Sequence, residues 1–336
     1  MLTYLITVLL SLFVYAPNKG APVFFAVAFA LSAIGHIWQC QLYKSWKLIG
    51  LHPICAVMFA VGYAMREYLA LDNYVYRGSQ NLIIYVLSQV FIYICPPLLE
   101  LANYHVLGRI FYYVPYLAPL PPGRVLSIFG LLMIFVETLN ALGVALSSNP
   151  TGSNQDLGSR LTIAALAIQL AVIAIFIVLT AIFHARCAKI QIRSKSVTTP
   201  LVVLYTSMCL ILIRCIYRLV EHLGNTSVDI SDLESMRSLS PVLRYEWYFF
   251  VFEGTLMLCN STIWNVFHPG RFLPKDYHVY LSRDGMTEVQ GVKYEDTRPV
   301  WKKVASAITF GFAFRKKMGG RGEFEELELL TARSHS

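Results

Sequence analysis

The chain has 336 residues, of which 56% are hydrophobic and only 14% charged, with a mean hydropathy of +0.54 and a formal charge of +8. Too few polar side chains are present to cover a water-soluble globule of this size, so a soluble enzyme or binding domain is excluded and an integral membrane protein is expected. The positive charge lies mostly in short loops and a tail beside apolar runs, which marks topology and not a nucleic-acid partner.

Residues 1–16, MLTYLITVLLSLFVYA, are apolar but short for a span, and read as a cleaved leader or an interfacial segment. Seven longer apolar runs follow, at about 21–43, 48–70, 81–103, 124–146, 160–184, 200–222 and 244–267. Each is near the ~20 residues that cross a hydrocarbon core, and none alternates as a membrane barrel strand would. The expected fold is an all-α seven-transmembrane helix bundle over residues 17–270, followed by a cytoplasmic tail, 271–336. Ten of the eleven lysines fall on the side shared by the tail and the loops after spans one, three and five, so the N-terminus is expected outside. Within the tail, 298–317 spaces Trp301, Val304, Ala305, Ile308 and Phe312 helically between basic residues, as a stretch lying on the anionic inner leaflet would. All seven cysteines sit in or beside apolar runs, so no disulfide framework is expected.

Charges inside the apolar runs carry the chemistry. A charged side chain near the bilayer centre costs about 2.5–3.5 kcal/mol on insertion scales, so each calls for a partner. Arg214 in span six and Glu253 in span seven each lie nine residues inside the outer ends, about 13 Å deep at 1.5 Å per residue, and should pair. Arg218 with Glu246 is expected as a shallower pair. Arg214, Arg218 and Glu221 share one helical face at i, i+4 and i+7. Glu137 lies deep in span four, Arg66 and Glu67 near the outer end of span two, and Glu100 toward the inner end of span three. The bland alternative is that these groups only fix helix packing. The functional alternative is a cavity in the outer half of the bundle that handles the polar head of an amphipathic molecule.

Other chemistries lack their residues. Span seven has no lysine for a retinal Schiff base, no Walker motif is present, and no His-x-x-x-His or His-Glu-x-x-His spacing supports a metal, although His36, His52, His105, His184 and His268 lie near inner ends of spans. No cofactor, metal or enzymatic activity is therefore expected. A seven-helix receptor or sensor shares the topology and stays open, without an Asp-Arg-Tyr or Asn-Pro-x-x-Tyr signature.

RCIYRLVEHLG (214–224), YEWYFFVFEGTLM (245–257) and NVFHPGRFL (265–273), with support from GYAMR (62–66) and PPLLELANYHVLGRI (96–110), resemble the signatures of the fungal RTA-like proteins, the lipid-translocating exporter family named for resistance to an aminocholesterol. The resemblance covers about residues 15–273. It implies seven helices with the N-terminus outside, and residence in the plasma membrane or internal membranes; vacuolar or endosomal routing is what the tail's Glu325 with Leu329-Leu330 would add. It also implies translocation, efflux or tolerance of an amphipathic lipid or toxin such as a sphingoid base, a sterol-like compound or a porphyrin. By position it points to Arg66, Arg109, Glu137, Arg214, Tyr217, Arg218, Glu221, Glu246, Glu253 and His268. Two short signals remain: a sequon at Asn225, and Glu325 with Leu329-Leu330 in the spacing of a dileucine sorting signal.

Overall fold

The computed structural model describes residues 17–71, 79–147, 154–192, 194–224 and 241–291, together with 13, 299, 301, 302 and 305. The Asn225 sequon, the dileucine signal, nearly all of 1–16 and most of 298–317 lie outside the described residues.

Among the described residues, seven α-helices precede residue 224: α1 (Ala21–Tyr43), a short α2 (Trp46–Ile49), α3 (Leu51–Ala70), α4 (Ser79–Tyr113), α5 (Pro122–Ser147), α6 (Gln155–Lys189) and α7 (Lys195–Leu223). Residues 241–266 add the short α8 (Pro241–Arg244), then α9 (Glu246–Phe249), a π-helical turn (Phe250–Thr255) and α10 (Leu256–Val266), the last three forming one continuous rod. Helix is the form such sequences must take in hydrocarbon, because it satisfies every backbone N–H and C=O within the segment. Helices α1, α4, α5, α6 and α7 are long and apolar enough to cross a membrane. Helix α3 and the 246–266 rod stand beside them and carry buried Arg66 and Glu253, which lower their apolar character.

The rods close on themselves. Helix α1 packs on α3, α3 on α4, α4 on α5, α5 on α6 and α6 on α7; α10 then packs on both α7 and α1, and α4 also reaches α7. Where α1, α3 and the rod meet, aromatic rings fill the space. Phe25 stacks on Tyr63 at 5.1 Å and on Phe250 at 5.6 Å between centroids, and Phe29 stacks on Phe59 at 4.5 Å. Small residues bring α5 and α6 close. A Cβ on Gly143 would lie 2.4 Å from Thr162 Oγ1, and one on Gly158 would lie 2.6 Å from the Ser147 backbone nitrogen. Outward-facing Phe24, Leu31, Ile34, Trp38, Ile83, Phe135, Ile175 and Val178 are exposed, as a lipid-facing surface requires.

One element departs from the all-α expectation. Val279–Leu281 (β1) and Glu288–Gln290 (β2) form an antiparallel hairpin with Tyr280 opposite Val289. Its turn is chemically specified: Asp284 accepts the Met286 and Thr287 amides at 3.0 and 3.1 Å, and Gly285 takes the left-handed φ of 71°. The hairpin docks on the end of α4 and the loop after it. Tyr113 donates to Glu288 at 2.8 Å, and Tyr116 to the Ser282 carbonyl at 3.0 Å. The Asp284-Gly285 pair between two short β-prone runs is the sequence signal for it.

Candidate functional site

Arg214 projects from the polar face of α7 towards the rod, where the π-helical turn presents Glu253. A π turn holds one more residue than an α turn and is common where a side chain is aimed at a task. Here Thr255 Oγ1 donates to the Phe250 carbonyl five residues back, at 3.1 Å. Gly254 lets the turn approach α1, since a Cβ there would sit 2.8 Å from the Phe25 ring. Arg214 Nε donates to Glu253 Oε2 at 2.8 Å, and the two side chains are only 5% and 0% exposed. An ion pair this dry combines a charge-assisted hydrogen bond with weak dielectric screening.

Arg218, one turn outward, joins the same group in a different way from that expected. It pairs with Glu221 on its own helix, approaches Glu253 Oε1 at 3.7 Å through Nε, and lies over the Tyr93 ring at 4.2 Å. Its Nη2 is 3.3 Å from His222 Nε2. The Arg218–Glu221 pair is the part nearest the surface, with side chains 15% and 14% exposed. Tyr217 is buried against Phe252, ring to ring at 5.0 Å.

The expected Arg218–Glu246 pair does not form. Glu246 accepts instead from Arg66 of α3 at 2.9 Å and from the Asn18 amide at 2.7 Å. The cause lies in the rod: residues 246 and 253 would share a face of an uninterrupted α-helix, but the π turn that begins at Phe250 reduces the rotation per residue, so the two no longer align and Glu246 meets α3. Arg66 is almost fully buried, with the Phe249 ring 4.2 Å from its guanidinium carbon.

Two more carboxyls approach from the other side of Arg214. Glu137 of α5 is half-buried within electrostatic range of Arg214 and Glu100. Glu100 of α4 is buried and accepts from Tyr104 and, at 2.9 Å, from Gln169 Nε2 of α6. Glu221 and Glu253 thus contact the two guanidiniums directly, and Glu100 and Glu137 lie within electrostatic range of Arg214. Glu253 Oε1 is buried with no hydrogen-bond partner.

A second polar layer lies further along α1 and α10. Ser32 Oγ and His36 Nε2 meet Ser261 Oγ at 2.7 and 3.2 Å, Asn265 Nδ2 donates to Ser32, and Gln39 donates to the Asn265 carbonyl at 3.0 Å. His52 lies between His36 and Trp264, with ring centroids 5.4 Å from each. Sequence reasoning set these histidines at the span ends without linking them. The link was legible as Ser32, His36 and Gln39 on one face of α1, and Asn260, Trp264 and His268 at four-residue spacing. Beyond α10, His268 accepts the Gly270 amide through Nδ1 at 3.1 Å and stacks on Tyr43 at 5.3 Å. Burial and the neighbouring Arg271 push its pKa down to about 4. Among the described residues no group of three or more His, Cys, Asp or Glu side chains is arranged to hold a metal ion.

The family model for RTA1-like proteins matches residues 53–276, which contain the whole constellation. The chain is 53% identical over 313 residues to the lipid-translocating exporter-like protein RTA1 of Leptosphaeria maculans, covering 91% of this chain and 60% of that protein. It is 29% identical over 292 residues to the protein of the same description from Ajellomyces capsulatus, covering 82% and 86%. It is 24% identical over 288 residues to the probable lipid transporter atnI of Emericella nidulans, covering 78% and 68%. No solved structure matches. With several helices fit to cross a bilayer and a family match over most of its length, the chain is an integral multi-pass membrane protein that belongs to the RTA1-like family.

Proposed function

We propose that the chain crosses the bilayer seven times with its N-terminus outside, and translocates an amphipathic lipid whose head is a cation, of the sphingoid-base type. The supporting observation is the surplus of carboxyls in the buried group: Glu221 and Glu253 pair with Arg218 and Arg214, Glu100 and Glu137 lie within electrostatic range of Arg214, and Glu253 Oε1 has no hydrogen bond, only the 3.7 Å approach of Arg218. Repulsion among carboxylates at low dielectric is relieved by an entering ammonium, whereas an anionic head would add to it. The relatives described as lipid-translocating exporter-like and as a probable lipid transporter support the same reading.

The ammonium enters past the surface-proximal pair, competing with Arg218 for Glu221, and then reaches Glu253 Oε1. Arg214 holds the other oxygen and orients the carboxylate. The alkyl chain stays among apolar side chains or in lipid, so only the head has to be desolvated. The cluster is closed in this structure. Passage therefore requires the π-helical turn to shift against α7, and such turns are frequent at functional sites.

Reconstitution of the purified chain in vesicles, with a fluorescent sphingoid base followed across the bilayer, tests the reading. Movement without any cytosolic partner, slowed at least tenfold by Glu253→Gln in a folded protein, is the expected result. Binding without movement would make the chain a sensor, and an unchanged rate in Glu253→Gln would remove the carboxylate from the pathway. Thiol labelling of cysteines placed at Lys19 and Lys275 in intact cells checks the orientation, the first accessible from outside and the second not.

A further inference from the structure

The end of the bundle where α1 and α10 terminate carries a second concentration of charge, all of one sign. A pocket of about 70 Å³ is walled there by Lys44, Lys47, Arg109 and Lys275, with Tyr43 and Tyr277. The cations come from separate parts of the fold: the link after α1, the short α2, the inner part of α4, and the segment after Pro269–Arg271. Lys44 adopts a left-handed φ of 52°, which closes α1, its amide meeting the Cys40 and Gln41 carbonyls. Arg109 is almost fully buried. Its Nη2 donates to the Pro274 and Asp276 carbonyls at 2.6 Å each, and the Tyr277 ring lies 4.5 Å from its guanidinium carbon. Its Nη1 is buried with no hydrogen-bond partner.

A purely structural role explains half of this. Arg109 ties the 274–276 segment to α4 through one nitrogen, leaving Nη1 and three exposed lysines unexplained. Among the described residues none of the four cations forms an ion pair. Asp276 is within electrostatic range of Arg109 but contacts it through its backbone carbonyl. Four like charges around one concavity are mutually unfavourable until an anion enters, and planar guanidinium with several ammonium groups is the donor set that recognises phosphate. The surrounding surface identifies the carrier. Leu42, Trp46, Val266 and Phe267 are exposed beside the pocket, the apolar and aromatic side chains that settle at the level of lipid headgroups.

We propose that this pocket binds the phosphate monoester of an anionic lipid headgroup, as a site separate from the buried charges near Glu253. Glu253 lies about 20 Å from the end of the rod at Val266, taking 13 residues at 1.5 Å each. The proposal does not depend on the translocated ligand.

The full chain is placed in phosphatidylcholine nanodiscs containing either phosphatidic acid or phosphatidylserine, and bound lipid is counted by native mass spectrometry. Phosphatidic acid should be retained preferentially. The Lys44→Gln/Lys47→Gln/Lys275→Gln protein should lose at least tenfold in its apparent affinity, in line with about fivefold for each basic residue near an anionic surface. A Lys189→Gln/Lys195→Gln protein, altered at exposed lysines outside the pocket, should keep it. Equal binding by the pocket variant and wild type, or equal loss in the control, would overturn the site. Displacement by soluble glycerol phosphate would overturn the lipid carrier. Unchanged thermal midpoints in plain phosphatidylcholine establish that the variants are folded.

Discussion

Removing Arg214 should cost far more than removing a surface cation, and removing Glu253 with it should add no further loss. Arg214→Met takes away the 2.8 Å partner of a carboxylate that is fully buried, leaving Arg218 at 3.7 Å on the other oxygen as the remaining compensation. Breaking one side of a buried pair costs about 3–5 kcal/mol, while apolar replacement of both sides is often neutral or stabilising. Residual attraction from Arg218 puts the single variant at the lower end, near 3 kcal/mol. Glu253→Leu, which strands Arg214 among apolar groups, should cost a similar amount. The double variant should cost no more than either single one, giving a coupling of about 2 kcal/mol or more. Unfolding titrations in mixed micelles of the four proteins measure this cycle. Additive losses of under about 1 kcal/mol each, the behaviour of solvated pairs, would refute a dry pair at this position.

Other substitutions separate parts of the fold. Gly254→Val must displace the Phe25 ring, which is stacked between Tyr63 and Phe250, and should lower stability by about 1–3 kcal/mol, read as a drop in thermal midpoint. Gly143→Leu should have a comparable effect by forcing α5 off α6, where the obstructing atoms include backbone; an unchanged midpoint would mean the helices are not held that closely. The folded His268 ring titrates at about 4 and the unfolded one near its ordinary 6.5, so the unfolded chain takes up the proton first. Stability should fall as pH drops from about 6.5 towards 4, and His268→Asn should lack that part of the slope, as pH-dependent unfolding of the two proteins would reveal.

Residue depth explains what could be read from the sequence. Arg214 and Glu253 were legible as a pair because equal distances from the ends of two antiparallel helices fix equal heights, whatever the details of packing. Glu246 was misassigned because the same reasoning supposed an uninterrupted α-helix, and nothing in the run FVFEGT announces the extra residue of a π turn. Arg66 therefore gained a partner 180 positions away that spacing rules had given to Arg218. Long apolar runs carried the helices themselves, since hydrocarbon leaves the backbone little choice. The hairpin at 279–290 carried only the short Asp284-Gly285 turn signal, which hydropathy windows pass over. Its strands are three residues each, and their fixing contacts come from Tyr113 and Tyr116 far back in the chain. The basic pocket drew Lys44, Lys47 and Lys275 from stretches that read only as topology signals, and joined them to Arg109, which the family resemblance alone had pointed to.

Charge discrimination bears most directly on the proposed translocation. Vesicles holding the wild-type chain are offered a fluorescent sphingoid base and, separately, its N-acylated counterpart, which has the same chain length and no ammonium. A carboxylate-rich path should carry the free base at least tenfold faster than the neutral compound, with the preference abolished in Glu253→Gln. Equal rates for the two lipids, or a preference that survives Glu253→Gln in a folded protein, would contradict it.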